Sequence, residues 1–444
     1  MLKKQSLKKQ AALITLSGAL VRAMGFLIRL WVSRMLGAEA MGIVEMASGV
    51  HALALTPAAA GLPAAVSRLT ARAESEEQRQ RILYAGRQIA RRVSLWIMPV
   101  LFFLSPLIAR ALGDERTLPS LLFFAPCVLF IGLSGVYDGY CLGKSSALPP
   151  VMSELGEQGI RFLTLLLLSF LISRVTPAWR AALPAAAGLL GEGAGWLIAV
   201  LMAGRGASFR GDPGLREVRR ELWTLSVPLI LNRLCHTGLR MLSSLMIPRQ
   251  LAAAGLPHGE AMSRLGMLNG MVMPLMFLPG LLAGSLAVVG GPAAARCASE
   301  KRLRRLFFRM LLPALFAGMA CAGGLYLFAP LIARKLYRLP ELTGLIRLMC
   351  PMAVLLPTQQ ALGGMMNGLG WQKQALRHGL LGAAATLLFT WLWTARMGIP
   401  GAGRAAMLGH GLTLAATLGT LIHRLWIAPG GKRNGQGLLS RNLR

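Results

Sequence analysis

The sequence predicts an all-α integral membrane protein of about twelve transmembrane helices arranged as two six-helix lobes. Three observations carry that reading: the composition, the apolar runs and the placement of the basic residues. Of 444 residues, 55% are hydrophobic and only 15% charged. The mean hydropathy is +0.55, too apolar for an ordinary soluble domain. A helix needs about 20 mainly apolar residues to cross a bilayer, and twelve such runs follow one another along the chain. Between them, Lys and Arg alternate in density. With the amino terminus inside, the cytoplasmic segments hold 30 of them and the opposite side ten. An asymmetry that returns at every second loop is the positive-inside pattern of a polytopic membrane protein. The net charge of +31 therefore does not require a nucleic-acid partner, since nucleic-acid binding needs no such alternation.

The first span, near 11–33, follows "KKQSLKKQ" and precedes Ala38-Glu39-Ala40, an arrangement that resembles a signal peptide. Arg22, Arg29 and Arg34 interrupt the apolar stretch, so the segment reads as an uncleaved first helix. The second span, near 41–65, carries Glu45 and closes on "GLPAAVSR". Seven arginines between Arg68 and Arg92 then mark a cytoplasmic segment. The third span lies near 93–112, and the fourth, near 119–143, ends in "YDGYCLGKSSALPP" with Asp138. The fifth, near 153–173, opens on Glu154, Glu157 and Arg161. Its run "LTLLLLSFLI" is apolar on every side, unlike the alternating strands of a membrane β-barrel. The sixth, near 180–203, holds Glu192. "GRGASFRGDPGLREVRR" then interrupts the spans with Gly, Pro and five arginines and reads as a linker. The seventh span, near 222–247, carries Arg233 and Arg240, and the eighth, near 263–290, closes on "GGPAAAR". The remaining spans lie near 310–333, 342–368, 378–396 and 402–424. The expected organisation is an N-terminal lobe at 1–204, a cytoplasmic linker at 205–221, a C-terminal lobe at 222–427 and a basic tail at 428–444, both termini cytoplasmic.

The two halves echo each other. Arg22 and Arg233 each lie about eleven residues into the first span of their half, and Arg29 and Arg240 follow seven residues later. Seven residues turn a helix by about 700°, so each pair shares one face, with about 10 Å between Cα atoms. The fourth and tenth spans end in "YDGYCLGKSSALPP" and "MMNGLGWQKQALRH", which share Leu-Gly, a Lys and Ala-Leu in order. Parallel six-helix repeats are typical of alternating-access carriers.

An arginine at the centre of a spanning helix costs about 2.5–3.5 kcal/mol on insertion scales, so a deep one is a functional candidate. Arg264, Arg347 and Arg404 lie near span ends, where snorkelling explains them. Arg22, Arg29, Arg233 and Arg240 are the candidate substrate-binding residues. A guanidinium binds phosphate through paired hydrogen bonds and keeps its charge, so an inward-facing set suits an anionic head, most simply a pyrophosphate. Glu45 and Glu192 are candidates for counter-ions to the arginines or for ion coupling. Glu157 and Arg161, four apart, read as an intrahelical pair.

Other signals are set aside. "DGYCLGKSS" lacks the glycine spacing of a phosphate loop and follows an apolar helix, not a strand. The six cysteines and six histidines are scattered singly, so no metal site and no cofactor are expected. The chain reads as a carrier and not an enzyme.

"RAMGFLIRLWVSRMLGAEAMGIVEM", "TPAAAGLPAAVSRLTA" and "GYCLGKSSALPPVMSELGEQGIRF" resemble the stage V sporulation protein B and polysaccharide-flippase branch of the multidrug, oligosaccharidyl-lipid and polysaccharide exporter superfamily, to which lipid II flippases are related. The resemblance implies a MATE-like pair of six-helix lobes around a cationic cavity in the bacterial cytoplasmic membrane. It implies carriage of an undecaprenyl-pyrophosphate-linked saccharide or peptidoglycan precursor for cell wall, spore cortex or polysaccharide synthesis, and in the family the first-helix arginines, here Arg22 and Arg29, line the cavity. Sporulation-type members commonly have fourteen helices where this chain has twelve spans, and Asp138 stands where the family often has an arginine.

Three functions are therefore open at this point. The first is a flippase whose partners are a lipid-linked anionic substrate, membrane lipids and possible cell-wall synthesis enzymes. A multidrug or cation antiporter of the same fold is the second, and it calls for central carboxylates more than for four arginines. The third is a non-transporting membrane scaffold for wall-synthesis enzymes.

Overall fold

Twelve helical spans account for almost the whole of the computed structural model, which describes residues 7–427 except 171, 205, 210 and 298. Side chains are described from Leu16 onward, apart from those at 173, 281, 282, 285, 288, 289, 292 and 296. The predicted basic tail at 428–444 and the lysines of the N-terminal tail lie outside them.

The first two spans form a single run, Leu7–Ala59, turned at Gly37. We label its arms α1, residues 7–36, and α2, residues 38–72, the latter continuing past a break at Ala60–Gly61 into Leu62–Arg72. Gly37 has φ 81° and ψ 175°, a region essentially reserved for glycine. The side chain of Arg29 meets that of Glu45, whereas sixteen residues of straight helix would hold them about 24 Å apart. The chain therefore folds back at Gly37, and residues equidistant from the corner face one another.

Next come α3 (Glu76–Leu112), α4 (Leu118–Gly143), α5 (Leu148–Ser169), α6 (Pro177–Ala203) and α7 (Gly214–Ala253). Helix α3 starts seventeen residues before the apolar run at 93. Ser75 caps it, its hydroxyl accepting from the Gln78 amide at 3.1 Å, and Glu76 and Glu77 complement the N-terminal dipole. Hydropathy finds the buried depth of such a helix, not its full length.

Span α8 (258–296) is broken into His258–Leu265, a wide π-helical turn Gly266–Val272, Met273–Met276 and Gly280–Arg296. The Tyr337 hydroxyl donates to the Met271 carbonyl in that turn at 3.1 Å. The last four spans are α9 (Glu300–Leu336), α10 (Leu342–Gly368), α11 (Gln372–Met397) and α12 (Ile399–Ile427).

Among the described residues, eight helical stretches, the folded pair α1–α2 counting as one, are long and apolar enough to cross a membrane. The spans outside that set are α5, α7 and α8. Helix α5 carries Glu154, Glu157 and Arg161, α7 carries Arg233 and Arg240, and α8 is broken. Trp96, Phe102, Phe103, Phe170, Phe316 and Leu327 are large apolar side chains left exposed on the helices, as suits contact with lipid. The chain is a multi-pass membrane protein.

The contacts divide it into two compact units, Met1–Ser244 and Leu245–Arg444. The first buries Leu62, Val66, Leu83, Val136, Tyr140 and Leu222 in one cluster. The second buries Leu303, Phe307, Met310, Leu362, Met366 and Leu421. Within the first unit, α7 runs antiparallel to α2, with Gly61 against the Ser226 backbone, Leu53 beside Gly238 and Gly49 beside Met241.

Candidate functional site

Several charged side chains within the first unit are paired across helices. Arg29 of α1 meets Glu45 of α2. On α5, one guanidinium nitrogen of Arg161 bonds both Glu157, at 2.7 Å, and Glu192 of α6, at 3.0 Å. Arg161 thus makes the intrahelical contact expected from its spacing and a second one across thirty-one residues.

These groups surround a cavity of about 370 Å³ inside the unit, lined by α1, α2, α4, α5 and α6. Arg29, Glu45, Arg161 and Glu192 reach it, with His51 and Gln158. His51 stacks on Phe124, ring centroids 4.3 Å apart and planes 14° from parallel. Gln158 is 8% exposed and its amide donates to Glu157 at 3.2 Å. His51 and Gln158 were not singled out by sequence because an isolated polar residue in an apolar run is more often packing.

The other three arginines differ. Arg22, Arg233 and Arg240 are exposed, do not line this cavity, and carry neither a hydrogen bond nor an ion pair within 4.0 Å among the described residues. Arg22 lies seven residues, about 10 Å, farther from the Gly37 corner than Arg29, and its charge reaches Glu154 on α5. Arg233 and Arg240 flank His236 on the stretch of α7 packed against α2 and are within electrostatic reach of it. The structure therefore joins Arg29 to Glu45, and Glu192 to Arg161, while leaving three guanidinium groups without a protein counter-charge in direct contact.

The stretch that mimics a phosphate loop is the end of α4 and the turn after it. Gly139 lies against the Pro63 backbone, where any side chain would collide. Lys144 bonds Glu76 at 2.6 Å, and Tyr140, lying beneath its ammonium, donates to the same carboxylate at 3.1 Å. Partial burial disfavours the Lys144 charge, but the bonds and charges of Glu76 and Tyr140 together outweigh it and hold the ammonium pKa above its usual value. The cluster ties α4 to α3. No group of three or more His, Cys, Asp or Glu able to hold a metal occurs among the described residues.

Comparison with known proteins fits this architecture. Residues 7–297 match the model of the polysaccharide biosynthesis protein family. Stage V sporulation protein B of Bacillus subtilis (strain 168) is 28% identical, over 95% of this chain and 83% of its own. Sporulation protein YkvU of the same organism is 25% identical over 40% of this chain and 41% of its own. Among solved structures, an inward-closed lipid II flippase MurJ superposes with a TM-score of 0.73 at 13% identity, covering 92% of this chain and 87% of that one. An inward-facing multidrug resistance MATE family transporter of the MOP superfamily gives 0.72 at 16% identity, covering 96% and 100%. At such identities the structures establish a common fold. The family model spans well over half of the sequence, including both arms of the Gly37 hairpin and the arginines discussed above, and the chain belongs to the polysaccharide biosynthesis protein family.

Proposed function

We propose that the protein is a flippase that moves a lipid-linked anionic saccharide, of the undecaprenyl-pyrophosphate type, across the cytoplasmic membrane by alternating access. The observation that carries this reading is the contrast among the deep arginines. Arg29 and Arg161 are neutralised by carboxylates, whereas Arg22, Arg233 and Arg240 have no such partner among the described residues. A permanent charge held in a spanning helix without a partner is costly, and a ligand phosphate supplies the missing counter-charge with matching geometry. Membership of a polysaccharide biosynthesis family and likeness to a lipid II flippase and a sporulation protein support the same substrate class. The lipid tail stays in the bilayer, so only the head has to enter a polar path. Glu45 and Glu192 serve as counter-ions to Arg29 and Arg161, and both termini face the cytoplasm. Among the open functions, a cation exporter of the same fold is the nearest competitor.

The test is headgroup translocation in liposomes containing the purified protein. Lipid II, a simpler undecaprenyl-pyrophosphate sugar and a cationic dye are compared in parallel. Movement of the pyrophosphate lipids and not the dye is expected; movement of the dye alone would overturn the reading in favour of an exporter.

A further inference from the structure

Arg233, His236 and Arg240 form a row on α7. At 100° per residue they fall within about 60° on one face of the helix, over a rise of about 10 Å. Gly238 and Met241, which meet α2, are turned about 80–160° away from them round the helix, so the row is not the face that packs on α2. Both arginines are exposed and His236 is partly exposed, within reach of a ligand. The two guanidinium groups feel each other's charge, and the imidazole between them feels both. No Asp or Glu occurs in α7 after Glu221, nor at 49–61 of α2, the stretch that packs on it. Its one titratable side chain, His51, is stacked on Phe124. None of the three residues of the row has a hydrogen-bond or ion-pair partner among the described residues. A row of nitrogen donors with no acceptor opposite suits an anion, and its length says which. One guanidinium already engages one phosphate group through two parallel hydrogen bonds, so a monophosphate would occupy one arginine and leave the other, two turns along, unmet. A diphosphate is two such groups joined through one oxygen. It gives each guanidinium its own group and leaves oxygens between them for an imidazole N–H, of which even a neutral ring has one.

We infer that this row reads a diphosphate: Arg233 and Arg240 take one phosphate group each and His236 donates between them, so that diphosphate-linked lipids are favoured over monophosphate-linked ones. The inference rests on the reading of the substrate as a lipid-linked anionic saccharide and assigns recognition of its diphosphate to one face of α7. His236 is then a specificity-determining residue beside the arginines.

The experiment measures binding of two lipids to the purified protein in detergent, undecaprenyl pyrophosphate and undecaprenyl monophosphate carrying the same N-acetylglucosamine. The wild type is compared with His236→Leu, His236→Gln and Arg240→Gln, so a folding defect in one variant leaves the others informative. The wild type should bind the diphosphate lipid more tightly by about tenfold or more. Loss of one hydrogen bond to a charged group predicts that this ratio of affinities falls by about tenfold in His236→Leu, and by at least as much in Arg240→Gln. Glutamine at 236 keeps an N–H donor and should keep most of the ratio, which a packing role for the ring would not allow. Equal binding of the two lipids by the wild type, or an unchanged ratio in folded Arg240→Gln, overturns the diphosphate site. An unchanged ratio in folded His236→Leu, or a His236→Gln variant as impaired as His236→Leu, overturns the part given to His236. If the wild type binds neither lipid, the flippase reading itself fails, an outcome distinct from equal binding.

Discussion

At the scale of single residues, the molecule separates arginines that hold the fold from arginines available to a ligand. Arg161 belongs to the first kind. Removing it leaves Glu157 and Glu192, which now share one cation, close together with none, and breaking a buried pair from one side is costly. Arg161→Ala should lower stability by about 3 kcal/mol. Glu192→Gln retains an acceptor for the guanidinium and leaves Glu157 in place, so its loss should be near 1 kcal/mol. Thermal unfolding of both variants in detergent checks the order, and equal losses would mean that the two contacts are not one network. Arg22 and Arg233 belong to the second kind. Their replacement by alanine should abolish translocation while folded protein is retained. Lysine at either position tests whether charge alone suffices, since only arginine offers a planar fork to phosphate.

At the scale of elements, one glycine organises the first hairpin. Gly37→Ala places a Cβ in a backbone region that alanine rarely adopts, which costs about 1–3 kcal/mol. The corner sets which residues of α1 and α2 face each other, so the substitution should also weaken the Arg29–Glu45 contact. The check is a double-mutant cycle of Arg29→Ala and Glu45→Gln, in which the coupling seen in the wild type should shrink in the Gly37→Ala background. The number of spans was legible in the sequence from the succession of mainly apolar runs, even though α5, α7 and α8 fall outside the set that is long and apolar enough to cross a membrane. Their lengths were not. The polar first turns of α3, for example, are held by the Ser75 cap and by arginines that favour a helix without being apolar. The break in α8 was hidden as well, since "GMLNGMVMPLMFLPG" is mainly apolar whether it coils as an α- or a π-turn.

At the scale of the whole molecule, the distribution of Lys and Arg predicts the orientation. On a background with the six native cysteines replaced, cysteine at position 116 should react with an impermeant maleimide from outside intact cells. Cysteine at position 144 should react only after permeabilisation, and the reverse pattern would invert the topology. The candidate site was only partly legible. The deep arginines declare themselves one by one against an apolar background. Their partners do not, because Glu45 reaches Arg29 only through the fold-back at Gly37, and Glu192 reaches Arg161 across thirty-one residues. Which arginines are neutralised and which are left for a ligand is therefore a property of the fold. That distinction is tested most directly by lipid II translocation in liposomes containing the wild type or Arg22→Ala at equal folded protein. Translocation by the wild type and none by the variant is the expected result. Equal rates in the two would contradict it and return Arg22 to a structural role.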